Sequence, residues 1–396
     1  VDQETFDHAT RHIEKFDANE NIGATPFEIL TATALKIFSD ARCNAAVLEC
    51  GMGGRHDATN VYPRGFKRVT VISKVGLDHQ DFLGNTIEDI AQEKCGIFAR
   101  HVPVVFDTSN EAAVLRVIRQ EVQKEDAYIS YPWDKSAFAT GPLPQEYTED
   151  KVAAILKASP LGKIPYQLAN AEIGFRAAYT FLDQIQFHKQ QSVLRSLDTI
   201  LDSDNGNLQK LSFTEDPQVL LDAIASTTIP GRFQTVSLSP LLGGLNRSMT
   251  LDGAHNAQAI EAIAPALAAL RATSPSGKIT WVVAFSEGKA LDEMLAPLLR
   301  PGDYVAATEF GPVDGMPWKK AMPSEAIVEC LESLKSMGVK VFIGDFGRDI
   351  ESALHWATSG LGIPVVGIGS LYLVSDVLRL LENAGSKVVQ KRNGNS

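Results

Sequence analysis

The run Val47-Leu48-Glu49-Cys50-Gly51-Met52-Gly53-Gly54-Arg55-His56-Asp57-Ala58-Thr59-Asn60 constrains this chain more than any other stretch, because it sets one carboxylate between an apolar segment and three closely spaced glycines. Ala45-Ala46-Val47-Leu48 predicts a short strand covered on both faces, and Gly51, Gly53 and Gly54 free the backbone for tight turns. Glu49 would then stand at a strand's carboxyl end, where open α/β sheets bind ligands, ready to hold a metal or a substrate. A strand-end Glu bonded to loop amides is the plainer alternative, and Glu49 by itself does not choose between them.

Val69-Thr70-Val71-Ile72-Ser73 predicts a second buried strand, leading within a few residues to Gly76-Leu77-Asp78-His79. Two parallel strands would bring Glu49 and His79 to one edge. A carboxylate and an imidazole both suit Mg²⁺ or Mn²⁺, although Mg²⁺ prefers oxygen and keeps waters and phosphate oxygens. Thr86-Ile87-Glu88-Asp89 resembles a capping box opening a helix with Ile87, Ile90, Ala91 and Lys94, where Lys94 reads as a solvated lysine. Further on, Met249 to Asp252 predicts a strand, Gly253-Ala254-His255-Asn256 a turn, and Ala257 to Leu270 a helix, again a strand-loop-helix ligand edge.

Taken in order, several blocks carry a resemblance: the Glu49–Asn60 run, Gly76-Leu-Asp-His79, Leu83-Gly-Asn85, Gln92-Glu-Lys-Cys-Gly-Ile97, Tyr166-Gln167, Asn170-Ala171, Ile229-Pro-Gly-Arg-Phe-Gln234, Leu251-Asp-Gly-Ala-His-Asn256 and Gly369-Ser-Leu-Tyr-Leu373. Together they are similar to the folylpolyglutamate synthase and dihydrofolate synthase family of the Mur-ligase superfamily. The resemblance implies an α/β chain with a Mur-ligase-type central ATPase domain, amino-terminally truncated, followed by a Rossmann-like C-terminal domain. It also implies ATP-dependent amide ligation, in which a pterin-bearing carboxylate is phosphorylated and the acyl phosphate is attacked by the amino group of L-glutamate. Charge is the physical difficulty, so metal ions and cations must neutralise the reactants and hold them in line.

By the same similarity, Glu49 and His79 are metal ligands near the terminal phosphates, and Lys94 matches a lysine carbamylated by CO₂, an anion able to orient a second metal ion. Asp252, His255 and Asn256 are placed at the nucleotide, and Arg232, in the connector between domains, at the phosphates, where its fork suits bidentate contact. Lys94, Arg232 and His255 are the catalytic candidates. Without the family pattern, Asp252 reads as a helix cap and Arg232 as a surface ion pair.

A Gly-rich phosphate loop with Lys and Ser or Thr, G-x-x-x-x-G-K-[ST], is not found in the sequence; Gly162-Lys163, Gly277-Lys278 and Gly288-Lys289 lack the following hydroxyl residue. Val1 to Ile22 is similar to the segment after that loop in relatives, so the loop's strand and helix are expected ahead of Val1. A polypeptide without it is expected to bind ATP poorly. Two outcomes stay open, an incomplete record of an active enzyme and a catalytically dead paralogue. A nicotinamide dehydrogenase is disfavoured, because Gly51-Met-Gly53 and Gly367-Ile-Gly369 both lack the third glycine of the dinucleotide fingerprint.

The 396 residues suit two domains, expected at 1–228 and 229–396 with Ile229-Pro230-Gly231 as the break. A net charge of -11 argues against nucleic acid or an anionic membrane surface as partner, so substrate anions must be met locally, with Arg55, Lys74 and Arg232 as candidates. Cys43, Cys50, Cys95 and Cys330 form no C-x-x-C pair, which points to a reducing, cytoplasmic setting, with a mitochondrial leader upstream of Val1 left open. No apolar run approaches the ~20 residues of a membrane span. A monomer acting on small molecules is expected. Tyr131 to Ser159 reads as a loop, Gln167 to Leu182 as a helix and Gln184 to Asp216 as a mobile insertion; strands are expected at 279–285, 304–308, 339–343 and 365–368. Glu309 to Trp318 resembles a segment of fungal dihydrofolate synthases, so dihydropteroate is the expected acceptor of glutamate, with folate polyglutamylation as the runner-up.

Overall fold

The computed structural model describes residues 1–130, 147–197, 216–314, 316, 319–360 and 362–393. Within these the chain divides into two compact units, Val1–Leu161 with Gln167–Ser226, and Gly162–Tyr166 with Thr227–Ser396. Both are α/β, as the alternation of apolar runs and amphipathic stretches predicts.

The first unit opens with a helical hairpin, α1 (Gln3–Glu20) and α2 (Pro26–Asp40), the latter begun by a capping box in which Thr25 and Glu28 satisfy each other's backbone amides. Its sheet is parallel, in the order β1 (Thr70–Ile72), β2 (Pro103–Phe106) and β3 (Tyr128–Ile129). Helices α3 (Gln80–Leu83), α4 (Ile87–Cys95) and α5 (Ala112–Lys124) fall between the strands. Ile90 and Cys95 of α4, Val104 and Phe106 of β2, and Val114 and Ile118 of α5 meet in one core. A second cluster joins α6 (Glu149–Ala158), α7 (Pro165–Leu197) and α8 (Pro217–Ser226) through Leu156, Phe175 and Leu221.

Three expectations need correction or limits here. Ala45 to Leu48 is not a strand: it pairs with nothing among the described residues, and Val47 is 98% exposed. An apolar run becomes a strand only where a neighbour takes up its amides and carbonyls, and among the described residues β1 pairs with β2 alone. Residues 149–158 form α6 rather than loop, because Thr148 caps the Lys151 amide and Val152 and Leu156 pack inward. The rest of that stretch, 131–146, and most of the proposed mobile insertion, 198–215, lie outside the described residues, while α7 continues to Leu197.

The second unit is built on a six-stranded sheet in the order β4 (Gln234–Ser237), β5 (Ser248–Leu251), β9 (Val365–Ile368), β6 (Thr280–Val283), β7 (Tyr304–Thr308) and β8 (Phe342–Gly347). Only β4 runs antiparallel. Alternate strand residues serve opposite faces. Trp281, Val283, Val305 and Val366 pack under α9 (Ala257–Ala272), α10 (Leu291–Leu298) and α11 (Ser324–Ser336), whereas Val282, Ala306 and Val365 pack under α12 (Ile350–Ala357) and α13 (Leu371–Asn393). Because β9 sends its helix to one face and its neighbours β5 and β6 to the other, the carboxyl end of β9 is a topological switch point. β8 starts three residues later than expected, since the Lys340 amide is taken by the turn after α11, donating to the Gly338 carbonyl at 3.1 Å.

At the opposite end of this sheet, the fully buried Asp303 takes Arg271 in a two-pronged pair at 2.6 and 2.8 Å. It also accepts from Ile279 N, Trp281 Nε1 and Arg300 N, each at 3.0 Å. One carboxylate thereby fastens α9, β6 and the turn before β7. Replacing Asp303→Ala takes the two-pronged carboxylate from the half-buried Arg271, which keeps the Gly277 and Leu298 carbonyls, and leaves the Ile279 and Arg300 amides and the buried Trp281 indole without this acceptor; it is expected to lower the unfolding free energy by ~3–5 kcal/mol, read from urea denaturation followed by circular dichroism.

Candidate functional site

In the first unit the glycine-rich loop lies against the last turn of α4 with no room for side chains. A Cβ on Gly54 would stand 2.6 Å from the Lys94 carbonyl oxygen, and one on Gly96 would stand 2.3 Å from Arg55 Cβ. Hydrogen bonds then close the loop. Arg55 N donates to the Glu93 carbonyl at 2.9 Å, His56 N donates to Glu93 Oε1 at 3.2 Å, and the His56 ring nitrogen Nδ1 lies 3.1 Å from the same oxygen. Asp57 receives Met52 N at 2.8 Å and Thr59 N at 2.9 Å, while Asn60 Nδ2 reaches the carbonyls of Arg55 and Gly96. Arg55 turns its guanidinium toward Glu121 at 3.6 Å and Glu93 at 3.9 Å, with its side chain 37% exposed. Lys74 is likewise bonded to Ser109, through that residue's carbonyl.

Glu49 precedes this loop, is exposed, and makes no hydrogen bond or ion pair among the described residues. His79 stands at the start of α3 with φ 54°, a left-handed conformation rare outside glycine, and its half-exposed ring has Nε2 4.0 Å from Asp78 Oδ2. Lys94 is half-buried on the last turn of α4. Burial holds the Cys50 thiol above its ordinary pKa, against the pull of a hydrogen bond from Thr59. Among the described residues no three His, Cys, Asp or Glu side chains gather as a protein-only metal cage requires.

In the second unit the ligand edge is organised by Asp252, which follows β5 and is 3% exposed. Oδ2 accepts from Tyr166 Oη at 3.0 Å and Phe233 N at 2.8 Å, and Oδ1 accepts from Ala254 N at 2.8 Å. Burial raises its pKa, against the pull of these three bonds and of Arg232. Asp252 is therefore not the helix cap of the plainer reading. That role belongs to Asn256, whose side chain accepts from Ala259 N at 2.8 Å and opens α9. His255 Nδ1 lies 2.9 Å from the Gly253 carbonyl, which can only accept, so Nδ1 carries the proton and Nε2 faces away from the backbone. The amide end of α9, beside His255, is the positive end of a helix dipole and is suited to phosphate.

The loop bearing Arg232 crosses this edge. Gly231 has φ 70° and Phe233 φ 50°, and Gly253 N donates to the Gly231 carbonyl at 2.8 Å. A Cβ on Gly253 would come within 3.0 Å of Arg232 Nη1. Asp252, His255, Asn256 and Arg232 thus share one turn region of the second unit. Tyr166 and the left-handed Phe233 were not assigned a role from sequence; the signal available was Tyr166 standing just before Gln167 in a family block, which says nothing of a bond across 86 residues.

Residues 2–169 match the Mur ligase middle domain, and residues 234–380 match the domain described as "Dihydrofolate synthetase, C-terminal domain". Over 380 residues the chain is 33% identical to the probable dihydrofolate synthetase of Schizosaccharomyces pombe, covering 96% of this chain and 81% of that protein. The chain belongs to the dihydrofolate synthetase family. With the dihydrofolate synthetase of Saccharomyces cerevisiae, another relative, identity is 30% over 95% of this chain and 80% of that one. Among solved structures, E. coli FolC in complex with DHPP and ADP superposes with a TM-score of 0.62 at 23% identity, over 97% of this chain and 77% of that chain. Mycobacterium tuberculosis folylpolyglutamate synthase complexed with ADP gives 0.64 at 22% identity, over 96% and 79%. At such identities the likeness is one of fold, and it is the fold of this family.

Two substitutions test the geometry. Asp252→Asn has only one carbonyl oxygen for donors on both sides of the carboxylate, so an N–H must face an N–H; a loss of ~1–3 kcal/mol is expected, measured by chemical denaturation. Gly54→Ala forces a methyl against the Lys94 carbonyl and is expected to cost about 1–3 kcal/mol, seen as a lowered thermal midpoint.

Proposed function

We propose that this protein is an ATP-dependent ligase joining the carboxylate of dihydropteroate to the amino group of L-glutamate, the dihydrofolate synthase reaction. The observation that carries this reading is the match of residues 234–380 to a domain described from dihydrofolate synthetases, supported by two fungal relatives of that description. Folylpolyglutamate synthesis is the second reading, favoured by the 27% identity to the Bacillus subtilis protein described as dihydrofolate synthase/folylpolyglutamate synthase.

Glu49 and His79 would hold a divalent cation, and their chemistry fits one. A carboxylate oxygen and an imidazole make an incomplete set, which suits Mg²⁺ or Mn²⁺ because such ions keep waters and take nucleotide phosphates as their remaining ligands. That cation, when bound, neutralises phosphate charge and aligns it for transfer. A related structure from Yersinia pestis is complexed with AMPPNP and Mn ion, which supports ATP and a metal as cofactors. Lys94, next to this loop, is the residue for carbamylation by CO₂. Arg232 binds phosphate oxygens, His255 offers Nε2 to the nucleotide, and Asp252 holds the Arg232 loop and the Ala254 turn in register. Asn256 sets the amide end of α9 toward the same anion. A monomer is expected in the cytoplasm, or in mitochondria, with small molecules rather than nucleic acid as partners, consistent with a net charge of -11. Among the described residues no helix is long and apolar enough to cross a membrane.

The test is ADP release by the full-length protein with dihydropteroate and L-glutamate each omitted in turn. Release that needs both is expected. Turnover only with reduced folates shifts the assignment to polyglutamylation, and no turnover with either overturns the ligase reading in favour of a dead paralogue. Lys94→Ala is expected to lower kcat by roughly a hundredfold or more, as for removal of a group acting on the transition state, with ADP affinity changed far less.

A further inference from the structure

The ladder between β1 and β2 ends at the pair Ile72 and Phe106, with Asp107 N donating to the Ile72 carbonyl at 2.9 Å. Beyond it, Asn110 supplies the bonds that a neighbouring strand would give. Its Oδ1 accepts from Val75 N at 2.8 Å, and its Nδ2 donates to the Ser73 carbonyl at 3.1 Å. The amide has one workable orientation, because a turned group would set its nitrogen against the Val75 N–H, donor to donor. Asn110 is 5% exposed and belongs to a closed turn: Nδ2 also reaches the Asp107 carbonyl at 2.9 Å, and Ser109 N donates to Asp107 Oδ1 at 2.7 Å. Val75 itself is buried in the core shared with α4 and α5.

His79 lies a short way beyond Val75, across Gly76-Leu77-Asp78. On its far side the His79 carbonyl accepts from Phe82 N at 2.9 Å and Leu83 N at 3.0 Å, and Leu83 packs against the same core. Leu83 also bears on the glycine-rich loop, since a Cβ on Gly53 would stand 2.9 Å from Leu83 Cδ2. The segment that presents the imidazole is therefore anchored at Val75 and at Leu83, and the polar bonds of the first anchor come from Asn110. We propose that Asn110 is a positioning residue for His79: it fixes where the chain leaves β1, and so where the imidazole is offered to a divalent cation. Without it, the Ser73 carbonyl and Val75 amide lose their bonds to Asn110 and the exit from the strand loosens. This rests on the reading of His79 as a metal ligand.

The experiment reads the site without turnover. Mn²⁺ binding to the full-length protein with AMPPNP is followed by electron paramagnetic resonance, and the pulsed spectrum is searched for the nitrogen coupling of a histidine ligand, assigned by its loss in His79→Ala. Hydrogen exchange of the 76–79 segment is measured alongside. In Asn110→Ala exchange is expected to speed up, the nitrogen coupling to weaken, and Mn²⁺ affinity to fall roughly tenfold, as when a group that orients a metal ligand is removed. Asn110→Asp keeps an acceptor for Val75 N but loses the donor to Ser73, and its affinity is expected to lie between those of Asn110→Ala and the parent. Ile118→Val, in the same core on α5, is expected to lower the thermal midpoint yet bind Mn²⁺ as the parent does, which separates positioning from general loosening. Parent-like Mn²⁺ affinity in Asn110→Ala overturns the proposal; where that variant does not fold, parent-like affinity in Asn110→Asp does so. Parent-like binding in His79→Ala overturns instead the ligand reading of His79, and hydrogen exchange still decides whether Asn110 holds the segment.

Discussion

The carboxylate of Asp252 is the contact on which the second unit's ligand edge depends. Three donors from three parts of the chain converge on it: the hydroxyl of Tyr166, the amide of Phe233 in the Arg232 strap, and the amide of Ala254 in its own turn. A buried acceptor with this many partners is costly to leave unsatisfied, so the three segments are held in one arrangement. The left-handed Phe233 persists because its amide must point at that oxygen, a local strain tolerated in exchange for a fixed loop.

The sheet explains why this carboxylate can be buried at all. Parallel strands with helices on both faces place the ends of β5, β9 and β6 side by side, and the change of face at β9 opens the space into which turns carry polar groups. Gly367, in the middle of β9, leaves room for the Leu251 and Met249 side chains, which a Cβ there would strike, and Asp252 N donates to the Gly367 carbonyl at 3.0 Å.

Much of this was legible in the residues. Thr86 and Asp89 close the capping box that their spacing announced, and α4 carries Lys94 as expected. The strand-turn-helix at 248–272 follows from a β-branched and apolar run, a glycine and an Asn cap. Sequence alone did not yield pairing that depends on distant chain. Ala45 to Leu48 has the composition of a strand but no ladder partner among the described residues, and the ion pairs of Arg55 with Glu93 and Glu121 join residues far apart in the chain. Composition reports what a segment can do, while a ladder or an ion pair reports what is next to it, and neighbours far along the chain leave no local trace. Tyr166 and Asp252 are such a pair.

Trp281 gives the second unit an optical consequence of its own architecture. Its indole is fully buried in the apolar layer beneath α9 and α10 and donates to the carboxylate that fastens Arg271. An indole shielded from water and clamped by one acceptor emits at shorter wavelength than a hydrated one. Because that acceptor lies at the end of the sheet remote from the Asp252 turn, its fluorescence would register loosening of the scaffold while staying largely blind to changes at that turn.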